Sequence, residues 1–205
     1  MTDPAPLVRI VDDDASFLTA VGRLLRASGF AVRTFASAAE FLAQPEFDVP
    51  GCVLVDLQMP GLSGLDLQEA LARERHPLPV IFLTGQGDIP TSVHAMRRGA
   101  EDFLTKLAPK ADLLAAVTRG IDRDARERTG RARLDAQRAR LDALTPRERE
   151  VLQHVVGGKP NKIIACDLGI HERTVKLHRT AITTKLGVSS VAELTKLWME
   201  VSTLP

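Results

Sequence analysis

Five short apolar runs, each followed by an amphipathic stretch, fill the first half of this 205-residue chain. The runs at 7–11, 30–34, 51–56, 80–84 and 102–105 are rich in Val, Ile, Leu and Phe and read as strands. Helical patterns occupy 15–28 up to Gly29, 38–43, 64–76 closed by Pro77, and 91–98 ended by Gly99, and a further helix starts near Lys110. Strands that alternate with helices and are apolar along their length belong to a parallel sheet covered on both faces. Right-handed crossovers then leave a flavodoxin-like doubly wound five-stranded parallel sheet as the natural arrangement. A chain this long exceeds what one such core needs and suits two.

The texture changes twice after this α/β unit, which is expected to span 1–120. Residues 121–142 are dominated by Arg with interspersed Asp and Glu, and the apolar positions thin to Ile121, Leu134 and Leu141. Such a segment reads as a charged helical linker, a long solvated helix interrupted near Thr129-Gly130, with a flexible tether as the alternative. Its heptad pattern is too weak to favour a dimerising coiled coil. From 143 to 205 the sequence reads as four short helices. Thr145-Pro146 with Glu148 makes an N-terminus for the first, which stops at Gly157-Gly158. The second spans 161–168 and stops at Gly169, the third spans 171–186 and stops at Gly187, and the last spans 191–201. Two helices joined by a brief turn at Gly169 have the layout of a helix-turn-helix in an all-α four-helix domain.

Charge separates the halves. Residues 1–120 hold 11 Lys and Arg against 15 Asp and Glu, and residues 143–205 hold 9 against 6, although the whole chain is only +1. With 44% hydrophobic and 26% charged residues the composition is that of an ordinary globular protein. No run is long enough to span a bilayer, and Met1-Thr2-Asp3-Pro4 lacks a secretory pattern, so a cytoplasmic protein with no membrane partner is expected. Cys52 and Cys166 have no Cys or His at metal-ligand spacing and are expected to be reduced packing residues.

In an open α/β sheet, ligands gather at the carboxyl ends of the strands. The first strand runs into Asp12-Asp13-Asp14, the third ends on Asp56, the fourth on Thr84, and Lys106 follows the fifth. A lone Asp at a strand end is usually a turn former or a cap, and Asp14 is expected to cap the helix that follows it. Acids, a hydroxyl and a lysine at successive strand ends ask for a different account. Adjacent carboxylates resist ionising together unless a cation compensates them, and Mg²⁺ held by carboxylates, a backbone carbonyl and water is the economical one. A carboxylate nucleophile, a metal, an ammonium and a hydroxyl together suit in-line phosphoryl transfer onto Asp. Asp56, alone at the tip of a buried strand, is the candidate nucleophile, with Lys106 and Thr84 as phosphoryl ligands.

Val11-Asp12-Asp13-Asp14, the run from Asp56 through Met59-Pro60-Gly61 to Gly64, Leu83-Thr84-Gly85 and Phe103-Leu104-Thr105-Lys106 together resemble the receiver domain of two-component response regulators. The resemblance covers roughly 7–120. It implies that a sensor histidine kinase phosphorylates Asp56. It also implies that Asp12, Asp13, Asp56 and the backbone carbonyl of Gln58 hold Mg²⁺, and that Thr84 and Phe103 rearrange on phosphorylation. The family usually follows its lysine with a proline, often in a cis peptide, whereas Leu107 follows Lys106 and the proline is delayed to Pro109. A cis bond before Leu costs about 3 kcal/mol, so a trans loop is expected here. Gln58 and Gln86 flank the pocket, where they can tune hydrolysis of an aspartyl phosphate.

The third helix of the C-terminal domain carries Val175, Ile182 and Leu186 on one face, with His178 beside them as a packing histidine, and Arg173, Lys176, Leu177, Thr180 and Thr184 on the other. A cation, an apolar side chain and hydroxyls on one face suit the major groove, although the same pattern describes a solvated amphipathic helix. The strings from Leu144 to Leu152, Asn161 to Ala165, Arg173 to Arg179 and Lys185-Leu186-Gly187-Val188 resemble the LuxR-type DNA-binding domain. With the receiver, the resemblance is to the FixJ/NarL class of response regulators. It implies that Lys176, Leu177 and Thr180 approach bases and that Thr174, Arg179 and Lys185 approach phosphates, with Asn161 and Lys162 adding phosphate contacts. It further implies promoter DNA and RNA polymerase as partners, and a homodimer formed on phosphorylation or on DNA.

Three rivals are weighed. A phosphatase using Asp56 would want a second acid two residues on, where Gln58 stands. A small-molecule-sensing LuxR-type regulator would lack the acid pocket. A phosphorylation-independent LuxR-type regulator with a degenerate receiver switch is suggested only by Leu107.

Overall fold

The computed structural model describes residues 5–43, 48–74, 77–85 and 89–202. Strands β1 (Leu7–Val11), β2 (Ala31–Phe35), β3 (Gly51–Asp56), β4 (Val80–Thr84) and β5 (Asp102–Thr105) form one sheet in the order β2-β1-β3-β4-β5. Every pair is parallel, as expected of a doubly wound α/β sheet. Helices α1 (Ala15–Ala27), α2 (Ala38–Leu42), α3 (Gly64–Ala72) and α4 (Ile89–Arg97) supply the crossovers. Alternate strand residues feed two cores. Val11, Val53, Val55 and Phe82 pack with Phe41, Leu67 and Leu71 on one face, and Val8, Ile10, Leu54 and Ile81 pack with Leu25, Leu113 and Val117 on the other. Each such side chain contributes roughly 1.5–3 kcal/mol of burial.

Several expected bounds shift by a residue or two, as where α4 spans Ile89–Arg97 in place of 91–98 and the third C-terminal helix starts at Glu172 in place of 171. Strand β2 lies one residue later than 30–34, because the Phe35 ring is buried edge-on against Phe41, 5.1 Å between centroids. Helix α3 ends at Ala72 rather than running through 76; positions 75 and 76 lie outside the described residues.

Helix α5 (Lys110–Asp142) corrects the expected break: it runs through Thr129-Gly130 without interruption. One interior glycine costs only about 1 kcal/mol, and i,i+4 pairs such as Arg123–Glu127 and Arg128–Asp124, each at 2.8 Å, work against that cost. Asp124 is fully buried and accepts the Gly51 N–H at 2.8 Å, so this arginine-rich stretch is anchored rather than solvated throughout.

The chain divides into two compact units, residues 1–128 and 129–205. In the second, α6 (Pro146–Val156), α7 (Asn161–Leu168), α8 (Glu172–Leu186) and α9 (Val191–Ser202) surround Val151, Leu152, Ile164, Val175, Ile182 and Leu194. Helix α6 begins with the expected Thr145 cap, Pro146 and first-turn Glu148, and the structure joins Thr145 and Glu148 in a reciprocal capping box. Helix α7 stops because Gly169 takes the left-handed conformation, φ +63°, and permits the tight turn into α8.

Cys52 is a packing residue as expected, its thiol pushed up to about 12 by burial. Cys166 is not: it lies exposed, two positions from buried Ile164, which on a helix is the far side.

Candidate functional site

At the carboxyl edge of the sheet, β1 delivers Asp12 and Asp13, β3 delivers Asp56, and the turn after β5 delivers Lys106. The three carboxylates each bring one oxygen within 4.8 Å of the others. Asp12 and Asp56 are buried and Asp13 is exposed. The Lys106 ammonium stands between the buried pair, 2.7 Å from Asp12 Oδ2 and 2.9 Å from Asp56 Oδ2. Backbone amides complete the cradle: Asp14 N–H donates to Asp12 Oδ1 at 2.9 Å and Gln58 N–H to Asp56 Oδ1 at 3.2 Å.

Local sequence explains this convergence. Asp14 caps α1 by accepting from the amides of Ser16 and Phe17, so the acidic triplet turns sharply out of β1. Gly64 lets α3 start against the β3 terminus, since a Cβ there would lie 2.4 Å from the Asp56 carbonyl oxygen. Thr84 is buried at the end of β4, and its carbonyl accepts the Lys106 N–H at 2.8 Å. The half-buried Phe103 ring lies on β5 with its centroid 6.0 Å from that of Phe82. No cis peptide occurs among the described residues, and Leu107 is 91% exposed. Gln86 lies outside the described residues.

The charge balance is unequal. Desolvation pushes the Asp12 carboxyl above its ordinary value, outweighing the pull of Lys106 and of the Asp14 amide. Burial works against the Lys106 ammonium too, but Asp12 and Asp56 more than offset it and raise its pKa. The Lys106 ammonium is shared by the two buried carboxylates, with the Asp13 carboxylate beside them, so three carboxylates stand against this one ammonium. A hard, oxygen-seeking divalent cation fits this excess of negative charge. A carboxylate beside cations at a buried strand tip is suited to in-line attack on phosphorus.

In the second unit, Arg173, Lys176, Leu177, Thr180 and Thr184 lie exposed on α8, opposite buried Val175, Ile182 and Leu186. Lys162 is exposed at the start of α7, and Thr174 and His178 are half-buried. Three of the expected phosphate contacts have partners within the domain. Arg179 donates to Asn161 Oδ1 at 2.9 Å, and Lys185 donates to Glu148 Oε2 at 2.7 Å. The structure thus gathers the α8 residues on one face while holding Arg179, Asn161 and Lys185 in contacts that sequence alone did not reveal. Phe17, Gly64 and Asp124 also escaped the sequence reading as contributors. Gly64 alone carried a signal, as the helix-starting glycine of the Asp56 string.

Comparison with known proteins agrees with this architecture. Residues 8–118 match the response regulator receiver domain, and residues 142–198 match the luxR family of bacterial regulatory proteins. The chain therefore belongs to the response regulators. More particularly, it is one of the FixJ/NarL class, a receiver joined to a LuxR-type helix-turn-helix. It is 38% identical over 197 residues to response regulator protein TodT of Pseudomonas putida, covering 96% of this chain and 87% of that one. It is 41% identical over 194 residues to transcriptional regulatory protein FixJ of Azorhizobium caulinodans, covering 93% and 90%. Among solved structures, response regulator StyR matches with a TM-score of 0.85 at 42% identity, covering 96% of this chain and 99% of that one. The family is one of transcription regulators. Its receiver implies a histidine kinase partner and its LuxR-type domain implies DNA binding, and no described helix is long and apolar enough to cross a membrane.

Proposed function

We propose that in the cytoplasm Asp56 of this protein accepts a phosphoryl group from a sensor histidine kinase and that the aspartyl phosphate controls promoter binding by α8. The new Asp56 Oδ–P bond forms as the P–N bond to the kinase histidine breaks, and the imidazole leaves with the electron pair. Asp12, Asp13, Asp56 and the Gln58 carbonyl hold Mg²⁺, which supplies compensation for charge on the phosphoryl oxygens. Lys106 leaves the carboxylates for a phosphoryl oxygen, and the Thr84 hydroxyl follows, giving Phe103 a new neighbourhood. Residues 1–120 act as receiver, 121–142 as charged helical linker and 143–205 as output. Two copies then bind adjacent half-sites and engage RNA polymerase. Lys176, Leu177 and Thr180 read bases. Thr174, Arg179, Lys185, Asn161 and Lys162 meet phosphates.

The observation that carries this reading is the Lys106 ammonium between Asp12 and Asp56, at 2.7 and 2.9 Å, within a cluster of three carboxylates. Acetyl phosphate with Mg²⁺, followed by intact-mass measurement, should add one phosphoryl group to the wild type and none to Asp56→Asn. In that reaction the P–O bond to acetate breaks instead. A folded wild type that gains nothing would favour a phosphorylation-independent regulator.

A further inference from the structure

Lys106 has to change partners during the reaction, so what holds it besides the carboxylates matters. Its backbone gives limited help. The turn after β5 is fixed by Lys106 N–H to Thr84 O and Ala108 N–H to Thr105 O. The next side chain, Leu107, is 91% exposed and packs against little. The lysine side chain itself is only 19% exposed, and the third wall around its ammonium is aromatic: Nζ lies 4.6 Å from the centroid of the Phe17 ring.

Phe17 is well placed for this. It lies in the first turn of α1, where its amide bonds to the Asp14 cap at 3.2 Å, and its half-buried ring packs against the core shared by α1 and α5. The acidic stretch that supplies Asp12 therefore also fixes the ring. An ammonium has three N–H groups; two carboxylates take one side of Lys106, and the negative face of the ring takes another. A ring attracts a cation across its face within about 6 Å of the centroid and asks for no single hydrogen-bond direction there. It can therefore hold the ammonium while the carboxylate partner is exchanged.

We propose that Phe17 is a positioning residue for Lys106, keeping the ammonium at the pocket mouth as it passes from the Asp12 carboxylate to an oxygen of the incoming phosphoryl group. The ring thereby supplies from α1 an aim that the Lys106-Leu107 backbone does not supply from its own turn. The proposal rests on Asp56 as phosphoacceptor.

The test uses the full-length chain with Phe17→Leu, which removes the ring and keeps an apolar side chain, and Phe17→Tyr, which restores a ring. Phe17→Met is the second ring-less variant should Phe17→Leu unfold. Three readouts are taken: the NMR shift of the Lys106 ε-methylene protons, the affinity for beryllofluoride in Mg²⁺, and the phosphorylation rate against acetyl phosphate concentration by intact mass. In the wild type the ε-methylene protons should carry an upfield ring-current shift, and the ring-less variant should lose it. Beryllofluoride affinity should fall about 3- to 10-fold, the scale of a partly desolvated cation–π contact. The half-saturating acetyl phosphate should rise by a similar factor while the maximal rate changes less. Phe17→Tyr should return all three to within about twofold. A ring-less variant that loses the proton shift yet keeps wild-type affinity and donor dependence overturns the proposal, and so does Phe17→Tyr behaving like Phe17→Leu. If the wild type takes up neither beryllofluoride nor a phosphoryl group, the phosphoacceptor reading falls and this inference falls with it. The lysine shift distinguishes that case, because it reports the ring contact whether or not chemistry occurs.

Discussion

Two lysines in this molecule face buried carboxylates, and the contrast between them separates a site that needs a ligand from one that is finished. In the C-terminal unit, Glu148 is 5% exposed and its Oε2 accepts from three donors: Lys185 Nζ at 2.7 Å, Thr145 N–H at 2.8 Å and Thr145 Oγ1 at 3.0 Å. The Lys185 hydrogen bond first, and the Thr145 amide second, hold its carboxyl below the ordinary range. In the receiver, a single Lys106 ammonium divides itself between Asp12 and Asp56, and desolvation pushes Asp12 up despite it. The first arrangement fastens the start of α6 to the end of α8. The second leaves carboxylate charge under-compensated, a cost that a divalent cation can relieve. Similar residue types at similar distances thus do opposite things, and the count of donors against charges decides which.

Neutralising each acid without changing its shape should split the pair most widely. Asp12→Asn should weaken Mg²⁺ binding on the order of a hundredfold, about 2.7 kcal/mol, as read by isothermal titration. An affinity within threefold of wild type would remove Asp12 from the metal set. Glu148→Gln should destabilise the C-terminal unit by about 1–3 kcal/mol in urea, because a charge-assisted bond is lost and the Lys185 ammonium loses its counter-charge. An unchanged midpoint would mean that the Thr145 contacts alone secure the helix start. In chelator, Asp12→Asn should act with the other sign and stabilise the receiver by about 1 kcal/mol, since the charge it removes is under-compensated.

How far sequence reached also divides along this line. Strands β3 and β4 were legible to the residue because they are buried on both faces and read as unbroken apolar runs. Sheet topology then put their polar ends in one place, so Asp12, Asp56, Thr84 and Lys106 could be named together. The helical character of 121–142 was legible, but not that α5 runs unbroken through Thr129-Gly130. Its continuity rests on ion pairs and on Asp124 reaching the Gly51 amide, a contact across 73 positions that no periodicity records. Phe17 was illegible for the same reason, as only the fold brings it to Lys106. Glu148 was read correctly as a first-turn acid, but its second role with Lys185, 37 positions on, needed coordinates.

The smallest expected effect is a pH dependence in which the two sites fade on opposite sides of the ordinary carboxylate range. Glu148 has a lowered folded pKa. Its stabilisation is therefore fully present above the unfolded value of about 4.3 and is lost as pH falls below that toward the folded value. Asp12 has a raised folded pKa. Its ionised form costs stability fully above that raised value, and the cost fades as pH falls toward the unfolded value of about 3.9. In chelator, the advantage of Asp12→Asn over wild type should therefore begin to shrink while the penalty of Glu148→Gln is still whole. Urea unfolding of the full-length chain and both variants in steps from pH 7 to pH 3.5 checks the order. If the Glu148→Gln penalty fades first, Glu148 is not held low by Lys185 and the contrast between the two sites collapses. If the Asp12→Asn advantage persists unchanged to pH 3.5, its source is packing and not charge.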